Sequence, residues 1–460
     1  MPQALALVDH TGGLKTNVSP FFAGKNYSPN ALNVEYAQSL GSVSKATQYA
    51  QYGSDAGGTK IQGIFPFQAA DNTKRLFMAS NGIIYEDVAG TWTSRKTGLS
   101  DSTDYGSAMF YNRLYVANGS DGLQYTDDGT TWNNVSAAVG SHIAVFKNRL
   151  YLANIGSGSN RNRFEYSDLG DGTTVANNTV DEIESAINGI HATYNVLYLF
   201  TEKSFWSWDE TYLQKVDNVG TTAGRSVASG NGRLFFANRD GVWMSTGGKA
   251  QLISRPVQYW IDGVSASNYS EYNAAFWKNE YYLWIGDTQD QANVVLVFNT
   301  LYNTWRILTN WPSEEMAVWT NTSGEENLYF GNNAADSLVF KAQEVYSQAG
   351  VSTASVYDYD VQFPATPDKE FQGISIHCFA ESDGNPVFQL SYALDSEDTF
   401  HELYSWVLQG NGYMEQVKID LPSSCKGKAV QFRVSETGSA NAWHWHGIKM
   451  YFDAERGVND

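Results

Sequence analysis

The chain has 460 residues, of which 42% are hydrophobic and 14% aromatic, and its formal net charge is −19. This length predicts two or three domains, and the acidic surplus argues against a protein that grips nucleic-acid phosphates. The sequence has no apolar run of the length that spans a membrane, and its first residues lack the basic start of a signal peptide. Two cysteines, Cys378 and Cys425, make no disulfide framework, so we expect folding in a reducing cytoplasm.

Residues 1–58 are predicted to form an extended N-terminal arm. The stretches 11–20 and 26–31 are rich in Gly, Pro, Ser and Asn, which is typical of turns rather than of helices or strands. An arm of this length with few charged residues is held either by its own chain or by a neighbouring subunit, and we expect residues 1–45 to contact a neighbour. The segment Ser42–Tyr52 is predicted to supply the strand that closes the repeat structure described next.

A short phrase recurs seven times between residues 74 and 329. Two polar or small residues precede a Leu or Tyr and then an aromatic residue, as in Asn112-Arg113-Leu114-Tyr115. The aromatic anchors of the seven copies are Phe77, Tyr115, Tyr151, Tyr198, Phe235, Tyr282 and Tyr329. They follow one another at steps of 38, 36, 47, 37, 47 and 47 residues, and a repeat of roughly 40–50 residues is typical of propeller blades.

Each copy contains the elements of one four-stranded antiparallel blade. A strand precedes the anchor across a two- or three-residue hairpin, and two further strands follow it, the last of them amphipathic. A single blade cannot bury both of its faces, so the blades must stack in a ring. We therefore predict an all-β protein with a six- or seven-bladed β-propeller over residues 59–350, with a helical pattern only near Val257–Ile261.

One repeat carries a turn similar to the Asp-box of sialidases and other propellers. Tyr125 stands where that box has serine, and the predicted turn residues are Asp127, Gly129, Thr131 and Trp132. In such a turn the Asp carboxylate accepts amide hydrogen bonds, Gly supplies a positive φ, and Trp packs between blades. Residues 166–172 look like a degenerate second copy. We interpret both as structural turns rather than catalytic groups.

Residues 351–460 are predicted to form a C-terminal β-sandwich of jelly-roll or lectin-like type. Six alternating strand patterns are separated by turns such as Asp383-Gly384-Asn385 and Gly410-Asn411-Gly412. The last residues, 455–460, are predicted to be a loose tail.

The sequence offers few candidates for chemistry. A sialidase-type site needs converging arginines, but Arg75, Arg113, Arg149 and Arg233 occupy the same hairpin position in successive repeats. The pair His444 and His446 has a spacing that metals use, but a strand of ordinary polar and aromatic side chains is the favoured interpretation. Phosphate-binding, dinucleotide and nucleophile motifs do not occur. We predict no enzymatic activity, no catalytic residue, no cofactor and no metal.

The arm, the propeller and the terminal sandwich together resemble the tail nozzle proteins of short-tailed bacteriophages, also called tail hub or packaged-DNA-stabilisation proteins. The resemblance rests on Gly12-Gly13-Leu14, on Ser28-Pro29-Asn30-Ala31-Leu32-Asn33-Val34, and on the stretch 220–257 with Gly224-Arg225-Ser226-Val227 and Asp240-Gly241-Val242. Other phage tail proteins share the same opening.

This resemblance implies a structural virion protein without membrane insertion. It implies a homohexameric ring in the tail, below the portal and adaptor proteins, that is made and assembled in the host bacterial cytoplasm. Tail fibre or spike proteins and tail-tip proteins would be its other partners. DNA would pass through the lumen without specific binding, and the ring would extend the DNA exit channel and help to retain packaged DNA.

Two other functions stay open from the sequence. The chain could be a receptor-binding or tail-fibre-attachment protein whose sandwich recognises a surface glycan, or a sialidase-like glycan hydrolase. Oligomer mass, glycan binding and glycoside turnover distinguish the three.

Overall fold

A computed structural model describes residues 2–37, 41–135, 138–156, 158–193, 195–331, 336–342, 345–348, 351–364, 370–395 and 397–454. The fold is all-β and consists of a seven-bladed propeller joined to a β-sandwich and an N-terminal arm, as predicted. The predicted loose tail at residues 455–460 lies outside the described residues.

Six blades are consecutive four-stranded antiparallel sheets. Blades 1 to 3 consist of the strands Ile61–Gln68, Lys74–Ser80, Ile83–Val88 and Thr91–Lys96; Gly106–Phe110, Arg113–Ala117, Leu123–Thr126 and Asn133–Val135; and Gly140–Phe146, Arg149–Ile155, Phe164–Tyr166 and Asn178–Val180. Blades 4 to 6 consist of Gly189–Ala192, Leu197–Phe200, Phe205–Trp208 and Leu213–Asp217; Ala228–Gly230, Arg233–Asn238, Gly241–Ser245 and Gln251–Leu252; and Asn273–Trp277, Glu280–Gly286, Val294–Asn299 and Thr304–Leu308.

The seven anchors lie at equivalent positions, on the second strand of each blade, and all are buried. Four of the hairpins that lead into these strands have two loop residues with positive φ, for example Tyr111 and Asn112 at 49° and 60°. Both central residues of a type I′ turn have positive φ, and this turn matches the twist of the flanking strands. The Asn in the repeated phrase therefore marks a tight hairpin, and the anchor after it lies in the core between blades.

Blade 7 is closed by the N-terminal arm. Its first three strands are Glu315–Thr320, Glu326–Gly331 and Val339–Ala342, and its fourth is Tyr49–Tyr52, which pairs antiparallel with Val339–Ala342. The predicted closing segment Ser42–Tyr52 is therefore correct only in its second half. Ser42–Lys45 instead joins the sandwich, where all four of its residues are buried.

The sandwich is built from two sheets that combine C-terminal and arm strands. The first contains Gln3–Leu7, Val34–Ala37, Ser42–Lys45, Phe371–Ser382, Glu415–Asp420, Lys426–Gly427 and Trp443–Ala454. The second contains Ala31–Leu32, Val351–Asp358, Val387–Leu394, His401–Val407 and Val430–Ser439, and it continues through Ser347–Gln348 into the sheet of blade 7.

The arm is therefore woven into the sandwich of its own chain. Gln3–Leu7 pairs with the final strand, and Lys45 makes an ion pair of 2.9 Å with Glu436, where both side chains are at most 1% exposed. A buried ion pair of this kind is costly to break because the remaining charge is left unpaired. The short parallel pair Gly13–Leu14 and Tyr27–Ser28 closes a loop that leaves the arm between these anchoring strands.

Helical structure is sparse. The α-helix Gln258–Asp262 follows the 3-10 turn Arg255–Val257, where the sequence predicted its one helical pattern. The remaining 3-10 turns are Gly158–Asn162, Val175–Asn177, Gly224–Ser226 and Ala266–Asn268. Across the described ranges, none of the helices has the length and apolarity needed to cross a membrane.

Candidate functional site on the propeller axis

The first strands of the blades surround the axis of the propeller, and those of blades 1, 2 and 3 contact one another in turn. Because strands alternate in direction, the loops that precede these first strands share one side of the propeller with the turns between second and third strands. We call this side the axial face. The opposite side carries the turns that join the first strand to the second and the third strand to the fourth, and we call it the hairpin face. Charged residues from five blades meet near the axis on the axial face.

Arg225 is the centre of this charged cluster. It lies in the 3-10 turn before the first strand of blade 5, and its guanidinium donates to Glu315 at the start of blade 7. It also lies 3.2 Å from a carboxylate oxygen of Glu271 and 3.3 Å from one of Asp104. One arginine therefore connects the loops of blades 2, 5, 6 and 7.

Lys60 extends the cluster to blade 1. Its Nζ lies 3.4 Å from Asp104 and 3.3 Å from Glu314. Asn273 of blade 6 donates to the second carboxylate oxygen of Glu315 at 3.1 Å. The cations and carboxylates are thus shared in one network that links separate blades.

Burial controls the protonation of the groups near the axis. It raises the pKa of Glu315 to about 8, although Arg225 acts in the opposite direction. Burial also lowers the pKa of His142 and of His191 to about 4, so both imidazoles are neutral at pH 7.

A cavity of about 500 Å³ opens beside the cluster. Amide and hydroxyl side chains supply most of its other polar groups, including Asn118, Asn154, Asn188, Ser107 and Ser141. Tyr105 also lines the cavity, and most of this side chain is itself buried.

The ion pairs of the cluster hold loops of separate blades together. A Ser–His hydrogen bond near the axis joins His191 Nε2 and Ser229 Oγ at 2.8 Å. Among the described residues no carboxylate binds the other nitrogen of His191, so the third member of a hydrolase triad is missing. Arg225, the cation that could bind a substrate carboxylate, is occupied by the chain's own carboxylates.

The Asp-box-like turn requires one correction. Asp128, and not Asp127, accepts the turn amides of Thr130 and Thr131, both at 2.7 Å, and the hydroxyl of Thr131 at 3.0 Å. Asp127 instead makes an ion pair with Arg113 at 2.6 Å. The reason is local: the residue two positions before the turn amides can place its carboxylate over them, as in an Asx-turn.

The other residues of this turn are located as predicted. Gly129 has a φ of 80°, and its amide donates to Thr126. Trp132 packs edge-on against the anchor Phe77 of the preceding blade at 5.8 Å, so it lies between blades. The same device recurs at Asp209, which accepts the amides of Thr211 and Tyr212, a copy that the sequence pattern missed.

The four arginines of the repeated hairpins do not converge. Each lies on the hairpin face of its own blade: Arg75 binds Glu86, Arg113 binds Asp127, Arg149 binds Glu210, and Arg233 donates to the Thr300 carbonyl. The pair His444 and His446 lies on the final strand with ring centroids 6.5 Å apart. Within the described part of the chain, no group of three potential ligands is placed to hold a metal ion.

Sequence reasoning missed the axial cluster. Arg225 belongs to the motif Gly224-Arg225-Ser226-Val227. The other charged residues of the cluster lie in loops that the repeat does not cover: Lys60, Asp104, Glu271 and Glu314. These four loop residues share their position in the sequence, because each lies one or two residues before the start of the first strand of a blade.

Comparison with known proteins gives matches to solved structures alone, since no family model and no curated protein matches the chain. PorZ, a bacterial surface component of the type-IX secretion system of Porphyromonas gingivalis, aligns with 11% identity and a TM-score of 0.43 over 68% of this chain and 42% of its own. The extracellular domain of BT3049 from B. thetaiotaomicron aligns with 10% identity and a TM-score of 0.48 over 86% of this chain and 61% of its own. BamB from Moraxella catarrhalis aligns with 12% identity and a TM-score of 0.40 over 67% of this chain and 96% of its own. The chain thus spans less than two thirds of the first two structures.

Proposed function

We propose that this chain is a structural protein of a phage tail, a nozzle subunit that forms a ring around the DNA exit channel below the portal and adaptor. The proposal starts from the resemblance of residues 12–14, 28–34 and 220–257 to the tail nozzle family. It assigns the chain a mechanical role, in which the ring extends the channel and helps to retain packaged DNA.

One observation carries the mechanical part of the proposal. The sheet of blade 7 continues through Tyr49–Tyr52 and Ser347–Gln348 into the second sheet of the sandwich. One buried hydrophobic cluster also runs from blades 5 and 6 into the sandwich, including Phe235, Trp305 and Trp445. A body joined in this way resists displacement of one part against the other, as a pressurised channel requires.

Charge supports the same role. The net charge of −19 opposes tight binding of phosphates. A wall with this balance lets DNA slide rather than holding it.

The native mass of the purified chain tests the proposal. We expect a closed oligomer of six copies, measured by native mass spectrometry and light scattering. A chain that stays monomeric in solution and is also absent from the tail of purified particles would contradict it.

A specific observation also favours a second candidate, the glycan reader. Tyr404, on the edge strand His401–Val407, is 46% exposed, and Tyr413, in the loop that follows this strand, is 76% exposed. Exposed aromatic rings of this kind can stack on sugars. Binding on a glycan array that is lost in Tyr413→Ala would favour this function, whereas turnover of a fluorogenic glycoside would favour the hydrolase.

A further inference from the structure

The arm carries a loop that presents a bare aromatic side chain to solvent. Residues 15–26 form this loop, which we call the arm loop, and its tip residue Phe22 is 80% exposed. The ends of the loop are fixed by the parallel pair of Gly13–Leu14 with Tyr27–Ser28. A compact surface loop with closed ends is frequently functional.

Internal contacts hold the arm loop in one conformation. The Phe22 amide donates to the Ser19 carbonyl at 2.8 Å, and the Val361 amide of the sandwich donates to the Pro20 carbonyl at 2.9 Å. Phe21 packs on Phe363 at 6.0 Å, so it is Phe21 and not Phe22 that fixes the loop to the sandwich. Phe22 is thus a large apolar side chain that is exposed to solvent, and the arm loop does not depend on it for packing against the sandwich.

The arm loop is also basic on an acidic protein. Lys15 and Lys25 are its charged residues, and the sequence has no Asp or Glu between His10 and Glu35. Neither lysine makes an ion pair within the described ranges. Lys15 donates to the Ala23 carbonyl at 3.4 Å and lies over the Tyr27 ring at 4.7 Å. Burial raises the pKa of Asp360 in the sandwich, and the charge of Lys25 acts in the opposite direction and lowers it. A complementary surface would therefore be apolar and acidic.

The hairpin face of blades 2 to 4 has these properties. Its tips expose Tyr111 at 62%, Leu169 at 67% and Tyr212 at 73%. The tips are contiguous: a Cβ on Gly170 would lie 3.7 Å from the Tyr111 hydroxyl, and Lys147 donates to the Asp209 carbonyl at 2.9 Å. We call this surface, with Asp128, Asp168, Asp171 and Asp209, the tip patch.

The tip patch keeps its negative charge. Amide or hydroxyl hydrogen bonds within the turns lower the pKa of Asp128, Asp171 and Asp209. Two nearby cations, Arg113 and Arg149, are paired with Asp127 and Glu210, and Lys147 is a further basic side chain among these tips.

The two surfaces lie on different sides of the molecule. The arm loop adjoins blade 6, because Gly13 contacts Thr304 of its outer strand and the Thr16 amide donates to the Pro256 carbonyl in the blade 5–6 linker. Blades 2 and 3 lie across the propeller from blade 6, and blade 5 separates blade 4 from it. Complementary surfaces at separate places on one chain produce head-to-tail contacts, which generate a ring when the rotation closes.

We infer that the arm loop of one copy docks on the tip patch of a second copy, with Phe22 packing among Tyr111, Leu169 and Tyr212 and with Lys15 and Lys25 facing the aspartates. This inference rests on the proposed ring and names the contact that builds it. Phe22 is the anchor of the contact, and the charges set its orientation.

Cysteine cross-linking of the full-length chain tests the contact. Phe22→Cys and Leu169→Cys are prepared as separate proteins, mixed and oxidised, so that a disulfide between the two introduced thiols can only join two copies. The native cysteines Cys378 and Cys425 are buried and do not compete. Tyr413→Cys mixed with Leu169→Cys is the matched control, because Tyr413 is 76% exposed but lies on the sandwich.

We expect a disulfide dimer of the two different variants from the first mixture and none from the control. Phe22→Ala should weaken self-association roughly thirtyfold in sedimentation velocity, as for a buried aromatic anchor. Lys25→Glu and Asp171→Lys should each weaken it, and a mixture of the two variants should regain part of the lost association.

The outcomes separate this inference from the proposed function. A closed oligomer that forms without a disulfide between the two introduced cysteines, and that is unaffected by Phe22→Ala, would overturn the docking inference and leave the ring intact. Phe22-dependent binding to another tail protein, with none between copies, would overturn it as well. A chain that is monomeric at every concentration would also overturn it, while the nozzle role would still be judged by its place in the particle.

Discussion

Asp127 and Asp128 are adjacent residues with different tasks. Asp128 accepts two turn amides and one hydroxyl, while Asp127 pairs with Arg113 on the surface. Sequence similarity to the Asp-box identified the turn but placed its key carboxylate one position early, since Thr126 rather than Tyr125 receives the Gly129 amide. A sequence pattern with degenerate positions does not distinguish between two adjacent aspartates in a turn.

Replacing Asp128 by Ala should lower the free energy of unfolding by about 1 kcal/mol, because hydrogen bonds to the turn amides are lost. Asp127→Ala is the matched control and should cost less, because it removes an exposed ion pair. Urea unfolding followed by tryptophan fluorescence measures both. Equal losses, or a larger loss for Asp127→Ala, would show that the assignment of the two carboxylates is wrong.

His10 links the arm to the sandwich through a neutral imidazole. Its Nδ1 lies 3.0 Å from the Tyr357 hydroxyl, and burial lowers its pKa from 6.5 to about 4. The unfolded chain therefore binds a proton at higher pH than the folded chain does. The stability contribution of neutral His10 is complete above pH 6.5 and is lost as the pH falls towards 4.

The variant His10→Gln tests this linkage. Between about pH 7.5 and pH 4 the native chain should lose about 3 kcal/mol more stability than the variant, from the conversion of the pKa shift into free energy. A pH dependence that is identical in native chain and His10→Gln would contradict the assignment.

At the scale of elements, the sequence pattern was reliable where the chain is buried and repeats. The second strand of each blade must place an aromatic residue in the core after a tight hairpin, so its phrase survives in seven copies. The fourth strand and the loops on the axial face are under weaker packing constraints. Residues such as Lys60, Asp104 and Glu271 therefore do not recur at the spacing of the repeat. The pairing of arm strands with strands near the C-terminus is a contact between distant parts of the sequence, and local patterns do not encode it.

Truncation of a core residue in the closing strand of blade 7 should strongly lower the stability of the protein. Tyr49 is buried against Trp311, Phe330 and Phe340 at centroid distances of 5.1–5.3 Å, and its hydroxyl donates to the Asn310 carbonyl at 2.7 Å. Tyr49→Ala should cost about 3–5 kcal/mol, as for other large aromatic truncations in cores. Gln51→Ala, on the same strand but exposed, should cost under about 0.5 kcal/mol.

Chemical denaturation of both variants gives the comparison. If Tyr49→Ala were as stable as Gln51→Ala, the arm would not be the strand that closes the propeller.

At the scale of the whole molecule, arm, propeller and sandwich form one continuous body. The blade 7 sheet runs into the sandwich, the arm contributes strands to both sandwich sheets, and the axial cluster ties blades 1, 2, 5, 6 and 7 together. This construction leaves the arm loop and the tip patch as outward-facing features. In the proposed nozzle, each chain is one rigid segment of the ring, and the arm loop and the tip patch form the contacts between neighbouring copies.

The most direct test of the nozzle assignment is a three-dimensional electron-microscopy reconstruction of the assembled particle, with this chain fitted into the density. The proposal predicts six copies in a ring on the tail axis, directly below the portal and adaptor, with the DNA channel passing through the ring. Density that places the chain at the end of a fibre, or outside the axial channel as separate monomers, would contradict the nozzle function and favour the receptor-binding alternative.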